Sequence, residues 1–474
     1  MTTSTITTSK TKKEKEKLTF KQALIKILTK ALISLGVFAF WIFIWQLVYD
    51  KVNKDIIVPS PYNTWLRIKT LVGEKEFWKI TLSSVSRILQ GFVCGTVLGA
   101  VLAVLTSASK FFFALFKPII GIARATPVAS LTLIMVVWVT NQRVPLFIVG
   151  LMVFPIIWGN TYEGIKNTDK KLLEMSRSFS VGAFRRLTHI YIPSVYPYFI
   201  AGVSTSLGLA WKSGIAAEIL GSTQGSMGQQ INDAKVYLDS EGKFAWTVIV
   251  IVLSIIFERL IVWVLGRTTL HIPIKPQKAS KEAIEPQRGF IKATGISKAY
   301  KKKTVLRDVD IEIMPSRVVA VRGVSGAGKT TLLMILAGLL KKDKGNIEKQ
   351  GGVSFLFQED RLLPWLTVKE NILFVNKEAD TQALLALVSL ESTEDMYPEE
   401  LSGGMKRRLS IARTLAGKGD VVFLDEPFTG LDEELRLETA ERVFDYLKDR
   451  GVAIVTHDSA EAERFATNEV YINN

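Results

Sequence analysis

Long, nearly uninterrupted apolar stretches decide half of this chain before any motif is considered. Ala31 to Tyr49, with Trp41, Trp45 and Tyr49 in it, is long enough to cross a bilayer as a helix. Ile88 to Thr106 and Ala245 to Leu265 have the same character. Val128 to Val139 and Leu146 to Trp158 are shorter runs around Asn141-Gln142-Arg143, and read as two spans joined by a tight outer loop. Tyr198 to Leu220 is a less clean span, interrupted by Lys212 and ending near Glu218. The pattern predicts six transmembrane helices within residues 31–265.

Charge orients them. The chain has 474 residues, 48% of them hydrophobic, and a formal net charge of +15. Residues 1–30 form a basic tail with Lys10, Lys12, Lys13, Lys15 and Lys17, and 160–194 is the most basic internal loop. Residues 107–127, with Lys110, Lys117, Arg124 and two prolines, read as another inner connection. Basic residues collect on the cytoplasmic side of membrane proteins, so the tail, these loops and everything after 266 are expected inside. The basic residues flank apolar runs without interleaved aromatics, which argues against nucleic acid as the partner. One cysteine, Cys94, and three scattered histidines exclude a disulfide framework and make a His-rich metal site a poor reading. Gly91, Gly95 and Gly99 lie four residues apart and put a small-residue strip on one helix face, as close helix packing requires.

Residues 266–289 carry Pro273, Pro276 and Pro286 and read as a linker. From 290 to 474 short β-branched runs alternate with helical patterns, the mark of an α/β domain with a largely parallel sheet. One such run, Val318 to Val321, leads into Gly323-Val324-Ser325-Gly326-Ala327-Gly328-Lys329-Thr330-Thr331. Glycines at Gly323, Gly326 and Gly328 let the backbone curl so that successive N–H groups face one anion. Lys329 adds a charge, and Thr330 a hydroxyl for Mg²⁺. A second run, Val421 to Leu424, ends in Asp425 and Glu426. Asp425 is placed there to hold Mg²⁺, and Glu426 to polarise a hydrolytic water.

Further motifs bring in a resemblance. Leu401-Ser402-Gly403-Gly404-Met405 resembles the signature motif of the ATP-binding cassette (ABC) ATPases. Gln358 resembles the Q-loop glutamine, Asp432 the D-loop aspartate, His457 the switch histidine and Tyr300 the aromatic residue that stacks on adenine. Arg361-Leu362-Leu363-Pro364-Trp365 after the Q-loop, with Met405, is similar to the sulfonate, taurine and nitrate importers. The resemblance implies ATP and Mg²⁺ as cofactors. ATP would be bound by Tyr300, Gly323, Ser325, Gly326, Gly328, Lys329, Thr330 and Thr331. Mg²⁺ would be held by Thr330, Gln358 and Asp425. Catalysis would use Glu426, His457 and Gln358. Two cassettes would close on two ATP, with Ser402, Gly403, Gly404 and Asp432 completing the opposite site. Arg407 stands where the family usually has Gln, and Pro315-Ser316-Arg317 where it has Pro-Gly-Glu.

Glu174 to Pro193 resembles the coupling (EAA) loop of binding-protein-dependent permeases, with Ser180 in place of the usual glycine. This implies an all-α permease fused to an α/β cassette, working as a homodimer in the cell's inner membrane with an external substrate-binding protein. Its substrate would be a small anion of the sulfonate, taurine or nitrate type, or a vitamin precursor. Other readings are an ABC exporter and a membrane-tethered ATPase sensor. Lys212 either faces the substrate path, together with Glu218, or snorkels from a helix end.

Overall fold

A computed structural model describes residues 29, 32–267, 271–277, 289–300 and 303–472. The basic tail, Thr29 apart, therefore lies outside the described residues, as do most positions of the expected linker. The described chain separates into two units. One comprises residues up to Tyr162 together with Ile200–Arg267, the other Glu163–Phe199 together with the residues from Thr268 on.

The first unit is helical: α1 (Leu32–Val52), α2 (Pro61–Gly73), α3 (Lys75–Ala108), α4 (Lys110–Ala125), α5 (Val128–Trp138), α6 (Val144–Lys166), then α9 (Ile192–Leu220), α10 (Met227–Val236) and α11 (Ser240–Arg267). Among the described residues four helices, α1, α3, α6 and α11, are long and apolar enough to cross a membrane. By length and composition these four and the bent pair α4–α5 account for five of the expected six. Residues 107–127 are not a loop, because α4 occupies most of them. The expected third span is α5, with 11 residues, about 16 Å long where a bilayer core needs about 30 Å. α4 and α5 pass as a span only together, bent by 106°. The break has a local cause: Thr126 precedes Pro127, and both backbones are extended. α9 has the length, 29 residues, without the composition.

The glycine strip does pack. A Cβ on Gly91, Gly95 or Gly99 would stand 2.5, 2.7 or 2.6 Å from the carbonyl oxygens of Leu146, Gly150 and Phe154 on α6. α3 and α6 therefore run backbone against backbone along three turns, a distance no larger residue permits.

In the second unit β1 (Phe290–Tyr300), β2 (Lys303–Ile313) and β4 (Lys344–Gln350) form an antiparallel sheet in the order β2-β1-β4. A parallel sheet follows in the order β5-β6-β7-β3-β8, from β3 (Val318–Arg322), β5 (Val353–Leu356), β6 (Val421–Asp425), β7 (Gly451–Val455) and β8 (Asn468–Tyr471). β5, β6 and β7 are buried at every position, so their β-branched and aromatic runs face apolar neighbours on both sides. The helices are α12 (Lys329–Leu336), α13 (Val368–Val375), α14 (Thr381–Leu387), α15 (Gly403–Ala416), α16 (Glu433–Tyr446) and α17 (Ser459–Phe465). Residues 163–199 supply α7 (Lys170–Ser178), the single turn α8 (Ala183–Arg186) and a π turn over Leu187–Tyr191. Part of the linker is docked: Ile274 is buried, and Gln277 N–H donates to the Lys377 carbonyl at 2.8 Å.

Candidate functional site

Four loops leave the carboxyl ends of β3, β5, β6 and β7, which lie side by side or one strand apart, and each delivers one expected group to the same edge. Ligands in open α/β sheets sit at this edge. After β3, Gly328 has φ +99°, and a Cβ there would come within 2.7 Å of Val305, so the turn requires glycine twice over. Lys329 is buried, and its Nζ donates to the carbonyls of Gly323 and Val324 at 2.8 and 3.0 Å. That holds the ammonium at the centre of the loop. Ser325 and Gly326 are exposed at its rim, and Thr330 and Thr331 open α12.

Thr330 Oγ1 donates to Asp425 Oδ2 at 2.7 Å, joining the loop to β6. Burial pushes the Asp425 carboxyl above the ordinary aspartate range, against the stabilising Thr330 hydroxyl. These are hard oxygen donors beside a phosphate cradle, the set Mg²⁺ accepts when phosphate and water complete its shell. No cluster of three or more His, Cys, Asp or Glu with metal-binding geometry exists among the described residues.

Glu426 follows with φ +50°, a left-handed turn that costs a non-glycine residue about 1–2 kcal/mol. Its carboxylate meets His457 Nε2 at 3.1 Å and Gln358 Nε2 at 3.4 Å. Glu426, Thr456 and His457 line a cavity of about 180 Å³ with Arg436, Asp458 and Glu461. Arg436 pairs with Asp458 at 2.8 Å and lies 3.9 Å from Glu461, while Thr456 Oγ1 donates to Glu461 at 2.7 Å. The sequence reading missed this trio; a carboxylate directly after the histidine was its one visible sign.

The other expected groups are elsewhere. Ser402 caps α15, accepting from Met405 N–H at 3.3 Å, and Asp432 caps α16, accepting from Leu435 N–H at 3.0 Å. Among the described residues no hydrogen bond ties 402–404 to 323–331. Tyr300 ends β1 half-exposed, with Lys298 Nζ 5.7 Å from its ring centre.

The coupling-type segment packs on the Q-loop side. Leu172, Met175, Val181 and Ile190 share one apolar cluster with Val353, Phe355 and Phe357. Around them Glu174 pairs with Arg361 at 3.0 Å, Lys171 with Glu359 at 2.7 Å, and Trp365 Nε1 donates to the His189 carbonyl at 2.7 Å. Ser180 has φ +53°, and Ser316 in the Pro-Ser-Arg turn φ +58°. Both serines hold a left-handed backbone at positions where glycine was expected. Pro193 follows the π turn of Leu187–Tyr191, whose helical backbone runs on without a break into α9.

Glu218 and Lys212 are not brought together. Lys212 is exposed on α9. Glu218 is fully buried, accepting from Ser84 Oγ at 2.9 Å, Gly228 N–H at 3.1 Å and Arg87 at 3.3 Å. Its acceptors are taken by α3 and α10, which leaves no face for a solute in this conformation.

Residues 306–429 match the family described as ABC transporter, and residues 95–269 the family described as binding-protein-dependent transport system inner membrane component. The aliphatic sulfonates import ATP-binding protein SsuB of Corynebacterium glutamicum is 38% identical over 190 residues, 38% of this chain and 78% of that protein. SsuB 1 of Rhodococcus jostii is 41% identical over 35% of this chain and 73% of its own length. An uncharacterized ABC transporter ATP-binding protein of Bacillus subtilis, YtlC, is 37% identical over 34% and 69%. A solved dimeric bacterial ABC transporter cassette aligns at 26% identity and a TM-score of 0.36, over 38% of this chain and 94% of that one.

Proposed function

This chain belongs to the ABC transporters, a binding-protein-dependent membrane component fused to its ATP-binding cassette, and we propose that it imports a small organic anion of the sulfonate class. The observation that carries the reading is the seating of residues 163–199 against the Q-loop, through Glu174–Arg361, Lys171–Glu359 and Trp365–His189. A movement of Gln358 is felt there, and a movement there at Gln358. An exporter's long cytoplasmic helices are not needed for this contact, and a tethered sensor has no use for it. The sulfonate class rests on the relatives' import role.

Phosphoryl transfer to water needs positioning and charge neutralisation more than covalent chemistry. Lys329 and the N–H groups of 323–331 would cradle the phosphates, while Thr330 and Asp425, with Gln358, would hold Mg²⁺, which would neutralise phosphate charge. Glu426 orients the attacking water, and His457 and Gln358 fix its carboxylate. Among the described residues no hydrogen bond joins Ser402, Gly403 or Gly404 to the loop of 323–331, which fits a homodimer in which these residues and Asp432 complete the other chain's site. Tyr300 supplies a stacking face for adenine. An external binding protein delivers the solute, and the cassette faces the cytoplasm of an inner-membrane protein.

The test is uptake into vesicles carrying the full chain, with ATP inside and a sulfonate-binding protein outside. Accumulation of labelled alkanesulfonate that requires ATP, the binding protein and Glu426 is the expected result. ATP turnover without accumulation of any sulfonate would overturn the substrate class; ATP-driven efflux would overturn import.

A further inference from the structure

Arg407 was marked by sequence only as a departure, an arginine where glutamine is usual. It is 4% exposed and lies in the second turn of α15, inside the cassette. Its guanidinium reaches two loops at once. Toward the end of β6, Nε donates to the Pro427 carbonyl at 2.8 Å, and Nη2 to the carbonyls of Asp425 and Glu426 at 2.8 and 2.6 Å. Toward the Q-loop, Nη1 donates to the Phe357 and Gln358 carbonyls at 2.7 and 3.1 Å and faces Asp360 Oδ1 at 3.4 Å. Three consecutive carbonyls around a strained φ of +50° are therefore held by one cation. The next residue, Arg361, carries the link onward to Glu174, and the fully buried Arg413 fixes the same stretch by donating to the Asp360 and Arg361 carbonyls.

We propose that Arg407 is a positioning residue: it sets the backbone of Glu426 and ties it to the Q-loop, so that the coupling segment and the water-orienting carboxylate move as one body. A guanidinium has five N–H donors in a planar fork, whereas a glutamine amide has two and a lysine ammonium cannot span the fork. Glutamine at this position can replace at most two of these five carbonyl contacts. The charge suits the place as well, since the carboxylates of Asp360, Asp425 and Glu426 all favour the charged form against the burial that opposes it. The proposal rests on the reading of Glu426 as the group that orients water.

The full-length protein tests it through Arg407→Gln and Arg407→Lys, each alone and combined with Glu174→Gln, with ATP turnover and nucleotide affinity measured in parallel. Arg407→Gln should lower kcat by about tenfold or more with KM for ATP within about twofold, and Arg407→Lys should recover only part. The Glu174→Gln effect should shrink in the Arg407→Gln background, a non-additivity that a merely structural arginine would not produce. If Arg407→Gln does not fold, Asp360→Asn, at a side chain 30% exposed, keeps the arginine, removes its charged partner on the Q-loop and enters the same cycle. A kcat within twofold of wild type, KM rising in step with the loss, or an additive cycle overturns the proposal. Glu426→Gln is the control: if it retains turnover the reading of Glu426 fails, and if it is inactive while Arg407→Gln is normal only the arginine's role fails.

Discussion

Two carboxylates, Glu218 in the helical unit and Glu426 in the cassette, differ in how their oxygens are held. Glu218 is fully enclosed, and every group that meets it is fixed: a serine and an arginine on α3, and a backbone N–H at the start of α10. Glu426 keeps 19% of its side chain accessible, and its partners Gln358 and His457 sit on loops at strand ends. One anion is enclosed by donors on two helices. The other is met by two loop side chains, one of them an exposed histidine. The difference lies in what supplies the donors, since both carboxylates stand next to cations or potential cations.

The comparison can be broken most severely at Glu218. Arg87→Met leaves a buried unpaired charge, a loss of about 3–5 kcal/mol. A large fall in detergent melting temperature is expected, with ATP turnover per folded molecule unchanged; turnover falling without loss of stability would make Glu218 functional. Glu426→Gln should do the reverse, reducing phosphate release by about 100-fold or more with little change in melting temperature. A stability loss like that of Arg87→Met would erase the distinction.

Smaller effects sharpen the backbone side of the argument. Ser180→Gly and Ser316→Gly relieve left-handed serines, and each should raise stability by about 0.5–1 kcal/mol after the entropy glycine adds to the unfolded chain. Chemical denaturation compared with wild type checks this, and a destabilisation would mean that the serine hydroxyls matter.

The smallest effect is a pH slope. Burial raises the Asp425 and Glu461 carboxyls above their ordinary values. The folded state then holds more protons than the unfolded one between the unfolded and folded pKa values, so these groups contribute stability that is lost as pH rises through that window. Asp425→Asn should flatten that part of the melting-temperature profile, and an unchanged profile would remove Asp425 as its source.

Much of the nucleotide edge was legible because its chemistry is local. Gly323 to Thr331, Asp425-Glu426 and His457 each carry their meaning within a few residues, and the run before each is an apolar strand whose end sets where they point. The glycine strip on α3 was legible for the same reason. What stayed hidden joins distant positions. Nothing in the neighbourhood of Glu218 names Arg87, 131 residues away. Nothing near Arg407 says that two loops converge on it. Helix α4 stayed hidden because Lys110, Lys117, Arg124 and two prolines made 107–127 read as a connection, while the break falls only at its end, at Thr126-Pro127.

The sequence by itself determined that this chain has a membrane part and a phosphate-loop cassette, because hydropathy and glycine-rich turns act over one span or one turn. Only the tertiary structure decided which charges are enclosed among helices and which stand accessible at the edge of the parallel sheet. That follows from how donors are distributed in space: a carboxylate's role depends on who meets its oxygens, and those partners are chosen by folding, not by nearness in the chain.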